Sequence, residues 1–139
     1  MGGRMYKTKN CFLFWLMAIG LVVGAIGVAS PTQAETITEY LTPTSESSPA
    51  GLDFDSKGNL WFAEVNGNKI GKLTPSKVKP GTSDGIVEYE LPHANSKPQY
   101  LMVSRDDIVW FSEMGGNRIG RLDPETGIIR EYNIPTPNS

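Results

Sequence analysis

The feature that most constrains the fold of this chain is a sixteen-residue phrase that occurs twice. Residues 60–75 read LWFAEVNGNKIGKLTP, and residues 109–124, forty-nine positions later, read VWFSEMGGNRIGRLDP. Nine of the sixteen positions are identical, and the two copies align without a gap. Such a repeat is expected to encode one small structural unit that packs against the next copy of itself.

The conserved positions of the two copies mix aromatic, apolar, polar and glycine residues. They pair as Trp61 with Trp110, Phe62 with Phe111, Glu64 with Glu113, Asn68 with Asn117, Ile70 with Ile119 and Gly71 with Gly120. The phrase Ile-x-Glu-Tyr at 37–40, 86–89 and 129–132 adds a third repeated element. Because a catalytic residue is needed once and a packing residue in every unit, we interpret most of these positions as structural.

The local pattern predicts four strands in each unit. In the first copy these are 51–55, 60–63, 69–73 and 86–89, and the second strand is apolar at successive positions, as in a strand buried on both faces. Asn66-Gly67 and Gly115-Gly116 are expected to form two-residue hairpin turns with positive φ. No helical period follows residue 34.

The predicted fold class is therefore all-β, a β-propeller of four-stranded antiparallel blades. Repeat 1 covers about 49–89, repeat 2 covers about 98–132, and one extra strand lies at 37–40. Two blades cannot close a ring, because closed propellers have about four to eight. We interpret the chain as the front part of a longer propeller, with self-association that completes the ring as the alternative.

The first 34 residues have a different composition from the rest. Arg4, Lys7 and Lys9 precede an uninterrupted apolar run at 11–29, and Thr-Gln-Ala at 32–34 offers a cleavage site. This order is typical of a secretory signal peptide. Because the run is nearly as long as the roughly 20 residues that span a bilayer, an uncleaved membrane anchor is the alternative. Both interpretations predict an N-terminal apolar helix and export of residues 35–139, either secreted, periplasmic or anchored.

The charge of the exported part excludes some classes of partner. Residues 35–139 carry 10 Lys and Arg against 15 Asp and Glu. A net acidic chain without a basic patch argues against nucleic acid. The only cysteine, Cys11, lies in the apolar run, so the exported part can form no disulfide of its own. A small molecule or a peptide remains open as a partner.

The repeated motifs resemble those of the virginiamycin B lyase (streptogramin lyase) family of propellers. The resemblance rests on Trp-Phe-x-Glu at 61–64 and 110–113, Asn-x-Ile-Gly at 68–71 and 117–120, and Glu-Tyr at 88–89 and 131–132, and it extends over residues 37–139. It implies a seven-bladed ring that opens a cyclic depsipeptide antibiotic by elimination at its ester linkage, with Mg²⁺ and a histidine general base. We expect that base on a later blade than those present here.

Few residues of this chain qualify as site residues, and no catalytic residue or cofactor is evident from the motifs alone. Glu64 and Glu113, one at the end of the second strand of each repeat, are the candidates for a ligand or a metal; the alternative is that they pair with Lys69 and Arg118. His93, the only histidine, lies between the repeats, where a solvent-facing role is the simpler interpretation. Trp61 and Trp110 are expected in the core rather than on a ligand.

Overall fold

The structure is a computed structural model that describes residues 11–14 and 36–137. Within these residues the chain forms strands and turns only, and no helix is long and apolar enough to cross a membrane. The strands are β1 (Cys11–Phe14), β2 (Thr38–Leu41), β3 (Pro49–Phe54), β4 (Leu60–Glu64), β5 (Lys69–Leu73), β6 (Ile86–Glu90), β7 (Pro98–Val103), β8 (Val109–Glu113), β9 (Arg118–Leu122) and β10 (Ile129–Asn133).

The strands assemble into two antiparallel four-stranded sheets, one for each repeat. Sheet 1 has the order β3-β4-β5-β6, and sheet 2 has the equivalent order β7-β8-β9-β10. In both, the first strand carries an irregularity in its pairing with the second, between Ala50 and Leu52 in sheet 1 and between Pro98 and Leu101 in sheet 2. The predicted pair of four-stranded antiparallel units is confirmed.

The first two strands of the chain, β1 and β2, form a small sheet of their own. Strand β2 occupies the position predicted for the extra strand, and it pairs with β1 in an antiparallel two-stranded sheet. Of the predicted N-terminal apolar helix, residues 15–29 lie outside the described residues, and the four described residues of that run are extended. The predicted cleavage site also lies outside the described residues.

The turns that join the second and third strands differ from the prediction. The register pairs Glu64 with Lys69 and Glu113 with Arg118, so four residues form each turn. The positive φ falls on Asn68 (φ 56) and Asn117 (φ 50), and neither Asn66-Gly67 nor Gly115-Gly116 has one. The prediction of two-residue turns was wrong. A four-residue loop is usually built around a type I turn, and it needs a residue with positive φ only where it rejoins the strand.

Alternate residues of the two central strands face opposite sides of each sheet. Trp61 and Ala63 of sheet 1 pack in one buried cluster with Val109, Phe111 and Leu122 of sheet 2, and Tyr89 packs against this cluster. We call this side of sheet 1 its trailing face and the side of sheet 2 that meets it the leading face. Burial of apolar surface between the two faces therefore joins the repeats.

The phenylalanine and glycine of the repeated phrase form a cross-strand pair. Phe62 lies opposite Gly71 in the register, and a Cβ on Gly71 would come within 2.2 Å of the Phe62 ring. Phe111 and Gly120 repeat the arrangement, with 2.0 Å. Any side chain at the glycine would displace the ring, so packing accounts for both residues of the motif.

Asp55 anchors the turn between the first two strands of sheet 1. Its carboxylate accepts hydrogen bonds from the backbone of Lys57 and Asn59, from the Asn59 amide and from Trp61 Nε1, at 2.8–3.0 Å. Burial alone raises the pKa of Asp55, but these bonds outweigh it and hold the pKa below its usual value. The aspartate thus has a structural role in the turn.

Candidate functional site

The hairpins between the second and third strands share one end of the structure with the segments that lead into each sheet. In sheet 1 the Asn66 amide donates to the Ser47 carbonyl at 3.0 Å, and in sheet 2 the Gly115 amide donates to the Ser96 carbonyl at 2.9 Å. We call this end, formed by residues 42–48, 65–68, 91–97 and 114–117, the loop face. Both acidic residues that the sequence singled out, Glu64 and Glu113, lie next to it at the ends of β4 and β8.

Asn68 links the hairpin of sheet 1 to the segment that begins sheet 2. Its side-chain amide donates to the His93 carbonyl at 2.9 Å, and its side-chain oxygen accepts from the Ser96 amide at 2.8 Å. The Asn117 side-chain amide donates to the carbonyls of Ile134 and Thr136, both at 3.0 Å, and the bond to Thr136 corresponds to that of Asn68 with His93. The repeated asparagines therefore satisfy backbone groups of the following segment.

Glu64 is a fully buried carboxyl group at the end of β4. It is 0% exposed, and within residues 36–137 neither of its carboxyl oxygens has a hydrogen-bond partner. Burial raises the pKa of Glu64 to about 7, and the negative charge of Glu88 acts in the same direction, whereas Ser47 and Lys69 oppose it. Burial therefore favours the protonated form of this carboxyl group, which makes it a weaker ligand for a cation than an exposed carboxylate.

Lys69 pairs with Glu88 rather than with Glu64. Its Nζ lies 2.8 Å from Glu88 Oε2 and also donates to Thr44 Oγ1 at 2.8 Å. Thr44 in turn donates to Glu88 through its hydroxyl (2.6 Å) and its backbone amide (2.7 Å). Burial alone raises the pKa of Glu88, but the bonds from Lys69 and Thr44 hold it below its usual value. Glu88 is therefore ionised and internally neutralised.

Glu113 has the cation partner that Glu64 lacks. Arg118 Nε lies 2.8 Å from Glu113 Oε2 and 3.5 Å from Glu131 Oε2, and the guanidinium also donates to Ser96 Oγ at 2.9 Å. Glu113 is 1% exposed, and the Oε1 atoms of Glu113 and Glu131 have no hydrogen-bond partner among the described residues. One arginine thus lies between two buried carboxylates.

His93 lies on the surface of the loop face and contacts the same buried glutamate. Its Nδ1 contacts Glu131 Oε2, and its side chain is 63% exposed, whereas that of Glu131 is 5% exposed. A carboxylate at Nδ1 favours the tautomer with the hydrogen on Nδ1 and an acceptor at Nε2. The structure therefore supplies the orienting acid that the sequence did not reveal, although the imidazole is open to solvent.

The two sets of polar residues are equivalent, with one difference in chemistry. Glu88 and Glu131 occupy matching positions in the fourth strands, and the residues that contact them, Thr44 and His93, lie forty-nine positions apart. His93 therefore takes the place of a threonine that bonds the same glutamate in the preceding unit. Its contact with Glu131 is explained by the architecture alone.

The described residues do not fit a magnesium ion. Among residues 36–137 no group of three or more His, Cys, Asp or Glu side chains could hold a metal. The charges that act on Glu64 come from Glu88 and Lys69 of its own sheet, and Arg118 already lies against Glu113. Mg²⁺ takes oxygen ligands in near-octahedral geometry, and the described carboxylates do not converge to provide such a set.

The sequence motifs did not identify Glu88 and Glu131 as the ion-pair partners of Lys69 and Arg118. The signal was the acidic residue of the Ile-x-Glu-Tyr phrase, which recurs in every copy. A glutamate in an exposed strand is ordinarily a surface residue. Its partners Lys69 and Arg118 lie 19 and 13 residues earlier, so only the strand pairing brings the groups together.

A concave region lies at the end of the sheets opposite the loop face. A cavity of about 290 Å³ is lined by turns of both repeats. Its lining residues are Asp55, Lys57, Lys72, Asp106, Asp107, Ile108, Asp123, Pro124 and Glu125. The carboxylates of Asp55 and Asp107 are already engaged, by the Asp55 turn and by Ser56 respectively.

Comparison with known proteins identifies one family. The model of the virginiamycin B lyase family matches residues 21–139. A virginiamycin B lyase from Bacillus licheniformis is 48% identical over 40 residues, which are 29% of this chain and 14% of that protein.

Solved structures of lyases superimpose on both repeats. Virginiamycin B lyase from Staphylococcus aureus, in its selenomethionine form, matches with a TM-score of 0.67 at 40% identity, over 78% of this chain and 34% of that chain. A catalytically inactive histidine-to-alanine variant of that enzyme with quinupristin gives a TM-score of 0.66 at the same identity and coverage. A streptogramin B lyase structure gives 0.66 at 36% identity, over 75% of this chain and 32% of that chain. The chain spans about a third of the length of these solved relatives.

Proposed function

The chain belongs to the virginiamycin B lyase family, and we propose that it is an exported segment of such a propeller that lacks lyase activity by itself. The family match agrees with the resemblance expected from the repeated motifs, and the all-β repeats match the propeller relatives. The chain carries about a third of the solved relatives' length, which supports an incomplete ring.

The observation that carries this proposal is the pairing of the buried acids beside the loop face with cations of the same sheet. An elimination next to a carbonyl needs a base for the proton and a positive group for the enolate-like charge that develops. Arg118 lies against Glu113 and Lys69 against Glu88, so the two cations beside these buried acids are already engaged. Glu113 is 1% exposed and the Glu88 side chain is 10% exposed, so neither acid is open to a substrate.

His93 is the one residue of the loop face with the form of a general base. Its Nε2 faces away from the Glu131 contact, and an exposed imidazole can accept a proton. Arg118, the cation that shares Glu131 with it, is already paired with Glu113, so it does not supply a positive group for the charge that develops next to a carbonyl. We therefore assign the catalytic base and the metal ligands to blades that this chain does not contain.

The test is to incubate the purified full chain with virginiamycin B and Mg²⁺ and to follow formation of the linear product by mass spectrometry. We expect no turnover above the rate without protein, while the Staphylococcus aureus enzyme serves as the positive control. Multiple turnovers by this chain would contradict the proposal, and loss of that turnover in His93→Ala would then identify the base.

Export is proposed from the N-terminal pattern of three basic residues, an apolar run and small residues before position 35. Mass spectrometry of the protein recovered from cell fractions measures where the chain begins. A mature N-terminus at Glu35 supports a cleaved signal, an intact chain in the membrane fraction supports the anchor, and an intact chain in the cytosol contradicts export.

A non-catalytic binding role is the second candidate, and the exposed imidazole on the loop face favours it. An oriented acceptor at His93 Nε2 offers a ligand a directional hydrogen bond without any chemical step. Calorimetric titration with virginiamycin B distinguishes the two roles. Saturable binding that chelators leave unchanged, with the ligand recovered intact, would support binding without catalysis.

A further inference from the structure

The connection between the third and fourth strands differs in length between the two repeats. In sheet 2 residues 123–128 form a compact turn, in which the Asp123 amide donates to the Ile128 carbonyl at 3.0 Å. In sheet 1 residues 74–85, which we call the long connection, begin and end in the same way, because the Thr74 amide donates to the Gly85 carbonyl at 2.9 Å. The additional residues are therefore inserted into a turn that closes without them.

The long connection folds into an ordered turn of its own. The amide and the hydroxyl of Thr82 both donate to the Lys79 carbonyl, at 3.1 and 3.0 Å. Pro80 and Gly81 lie between them, and Gly81 has a φ of 71°, which is the pattern of a type II turn. Lys79 and Asp84 also form an exposed ion pair at 2.9 Å. The backbone groups of this turn therefore have defined directions.

This turn bonds the backbone of β2. The Gly81 amide donates to the Glu39 carbonyl at 2.8 Å, and the Leu41 amide donates to the Thr82 carbonyl at 2.9 Å. Glu39 and Leu41 lie two positions apart, so their backbone groups point to the same edge of the strand. Strand β1 pairs along the other edge. The long connection thus covers one edge of β2, as loops commonly do for edge strands.

A side chain of the long connection shares the apolar contact of β2. Val78 and Tyr40 both pack against the buried cluster of Leu60 and Phe62 in sheet 1. Tyr89 packs in the same way against the equivalent residues of sheet 2, so β2 lies on sheet 1 as β6 lies on sheet 2. Burial of Val78 beside Tyr40 therefore stabilises the docked position of β2.

Strand β2 leads directly into the loop face. Thr44 follows Leu41 by three positions, and its amide and hydroxyl donate to Glu88 at 2.7 and 2.6 Å. Lys69 Nζ donates to the Thr44 hydroxyl at 2.8 Å. A contact that holds Leu41 in place therefore also limits where Thr44 can lie.

We infer that the long connection acts as a strap that keeps β2 and residues 42–48 of the loop face on sheet 1, and that these segments open together while sheets 1 and 2 stay folded. Segments with few buried apolar contacts and exposed backbone bonds open at a lower free energy than a core. Opening of this unit uncovers Leu60 and Phe62 and separates Thr44 from Glu88. The strap thus determines how often the Lys69–Glu88 pair loses its third partner.

Amide hydrogen exchange of the full chain, followed by NMR, tests the inference. In a loop-swap variant, the sequence of residues 123–128 replaces residues 74–85, which keeps a closed turn and removes the strap. Thr44 is the reporter, because its amide donates to Glu88 and not to the strap. We expect its exchange to become at least about tenfold faster. The Leu91 amide, which donates to the Asn68 carbonyl at 3.1 Å within sheet 1, is expected to keep its native rate.

Two point variants separate the apolar contact of the strap from its surface charges. Val78→Ser keeps the backbone bonds and removes the contact with the buried cluster, so the Thr44 amide is expected to exchange faster, by a smaller factor than in the loop-swap variant. Lys79→Ala is the matched control, since it removes only the exposed pair with Asp84 and leaves the Lys79 carbonyl that closes the turn. It is expected to keep the native rate at Thr44.

Three outcomes would overturn the inference. Faster exchange at Leu41 with a native rate at Thr44 in the loop-swap variant would show that the long connection covers the edge of β2 without holding it. Equal acceleration at Thr44 and Leu91 would show that no separate unit opens. Equal Thr44 rates in Val78→Ser and Lys79→Ala would contradict the strap independently of whether the loop-swap variant folds.

Discussion

Gly71 lies directly beneath the ring of Phe62, so close that a Cβ on the glycine would fall 2.2 Å from the ring. Phe62 is 1% exposed and cannot swing into solvent. We therefore expect Gly71→Ala to destabilise the fold by about 1–3 kcal/mol, the usual cost of overpacking a filled core. Denaturant unfolding of the variant measures this loss.

A double-mutant cycle with Phe62→Leu identifies the cause of that loss. Because the smaller side chain removes the clash, Gly71→Ala is expected to cost less in the Phe62→Leu background than in the native one. An equal cost in both backgrounds would show that the ring does not exclude a side chain at Gly71.

Asn68→Gly is expected to weaken the junction between the two sheets. The substitution keeps the left-handed backbone, which glycine adopts freely, and removes only the bonds to His93 and Ser96. We expect a loss of about 1–3 kcal/mol in the free energy of unfolding, because a partly buried backbone amide loses its partner.

The neighbouring Asn66→Gly is the matched control for that junction. Asn66 is exposed, and its side-chain amide donates to the Ser48 hydroxyl at 2.7 Å, away from the junction with sheet 2. The free energy of unfolding of Asn66→Gly is expected to stay within about 0.5 kcal/mol of the native value, as for most surface substitutions. Similar losses at both asparagines would contradict the role assigned to Asn68.

Glu64 is expected to make the fold less stable as the pH rises from about 5 to 8. Its pKa is raised from 4.5 to about 7 in the folded state, so the folded state binds a proton that the unfolded state releases. For an acid with a raised pKa, stability is greatest below the unfolded pKa and falls until the folded pKa is passed. The total loss is on the order of 3 kcal/mol.

Glu64→Gln removes this titration and leaves the shape of the side chain nearly unchanged. Unfolding free energies of both proteins at pH 5 and pH 8 give the comparison. We expect the native chain to lose stability over this interval and the variant to change much less. Parallel pH profiles would mean that Glu64 titrates near its ordinary value.

Asp55→Asn is expected to loosen the first turn of sheet 1 by about 1–3 kcal/mol, since an amide group replaces an oxygen that accepts hydrogen bonds. Trp61 Nε1 donates to the affected carboxylate at 3.0 Å, so tryptophan fluorescence reports the change. Asp84→Asn, in an exposed pair with Lys79 at 2.9 Å, is the control and is expected to change stability by less than about 0.5 kcal/mol. A loss at Asp84 as large as that at Asp55 would contradict this account.

The strands could be predicted because local pattern determines them. The predicted 69–73 strand has the bounds of β5, and the others agree within about two residues, since apolar runs and turn residues mark their ends. The turns between the second and third strands were harder to predict from the sequence. Asn66-Gly67 is a strong signal for a two-residue turn, yet the register places the left-handed residue at Asn68.

The partners of the candidate site could not be predicted from spacing along the chain. The alternative for Glu64 was a pair with Lys69, its cross-strand neighbour, but Lys69 pairs with Glu88 of the next strand. In the second repeat the predicted alternative, Glu113 with Arg118, is the pair that forms. His93 meets Glu131 from 38 residues away, a contact that depends on how the crossover segment lies across sheet 2.

The bonds from Asn68 and Asn117 into the following segments bear on how such a chain grows or shrinks by genetic duplication. Each asparagine reaches the carbonyl five residues after the fourth-strand glutamate, at His93 and at Thr136. Each of these hydrogen bonds joins one repeat to the repeat that follows it. An in-frame duplication or deletion of one whole repeat therefore leaves an asparagine and a matching carbonyl at every junction. For this reason the coding sequence can gain or lose whole repeats without losing the hydrogen bond between neighbouring sheets.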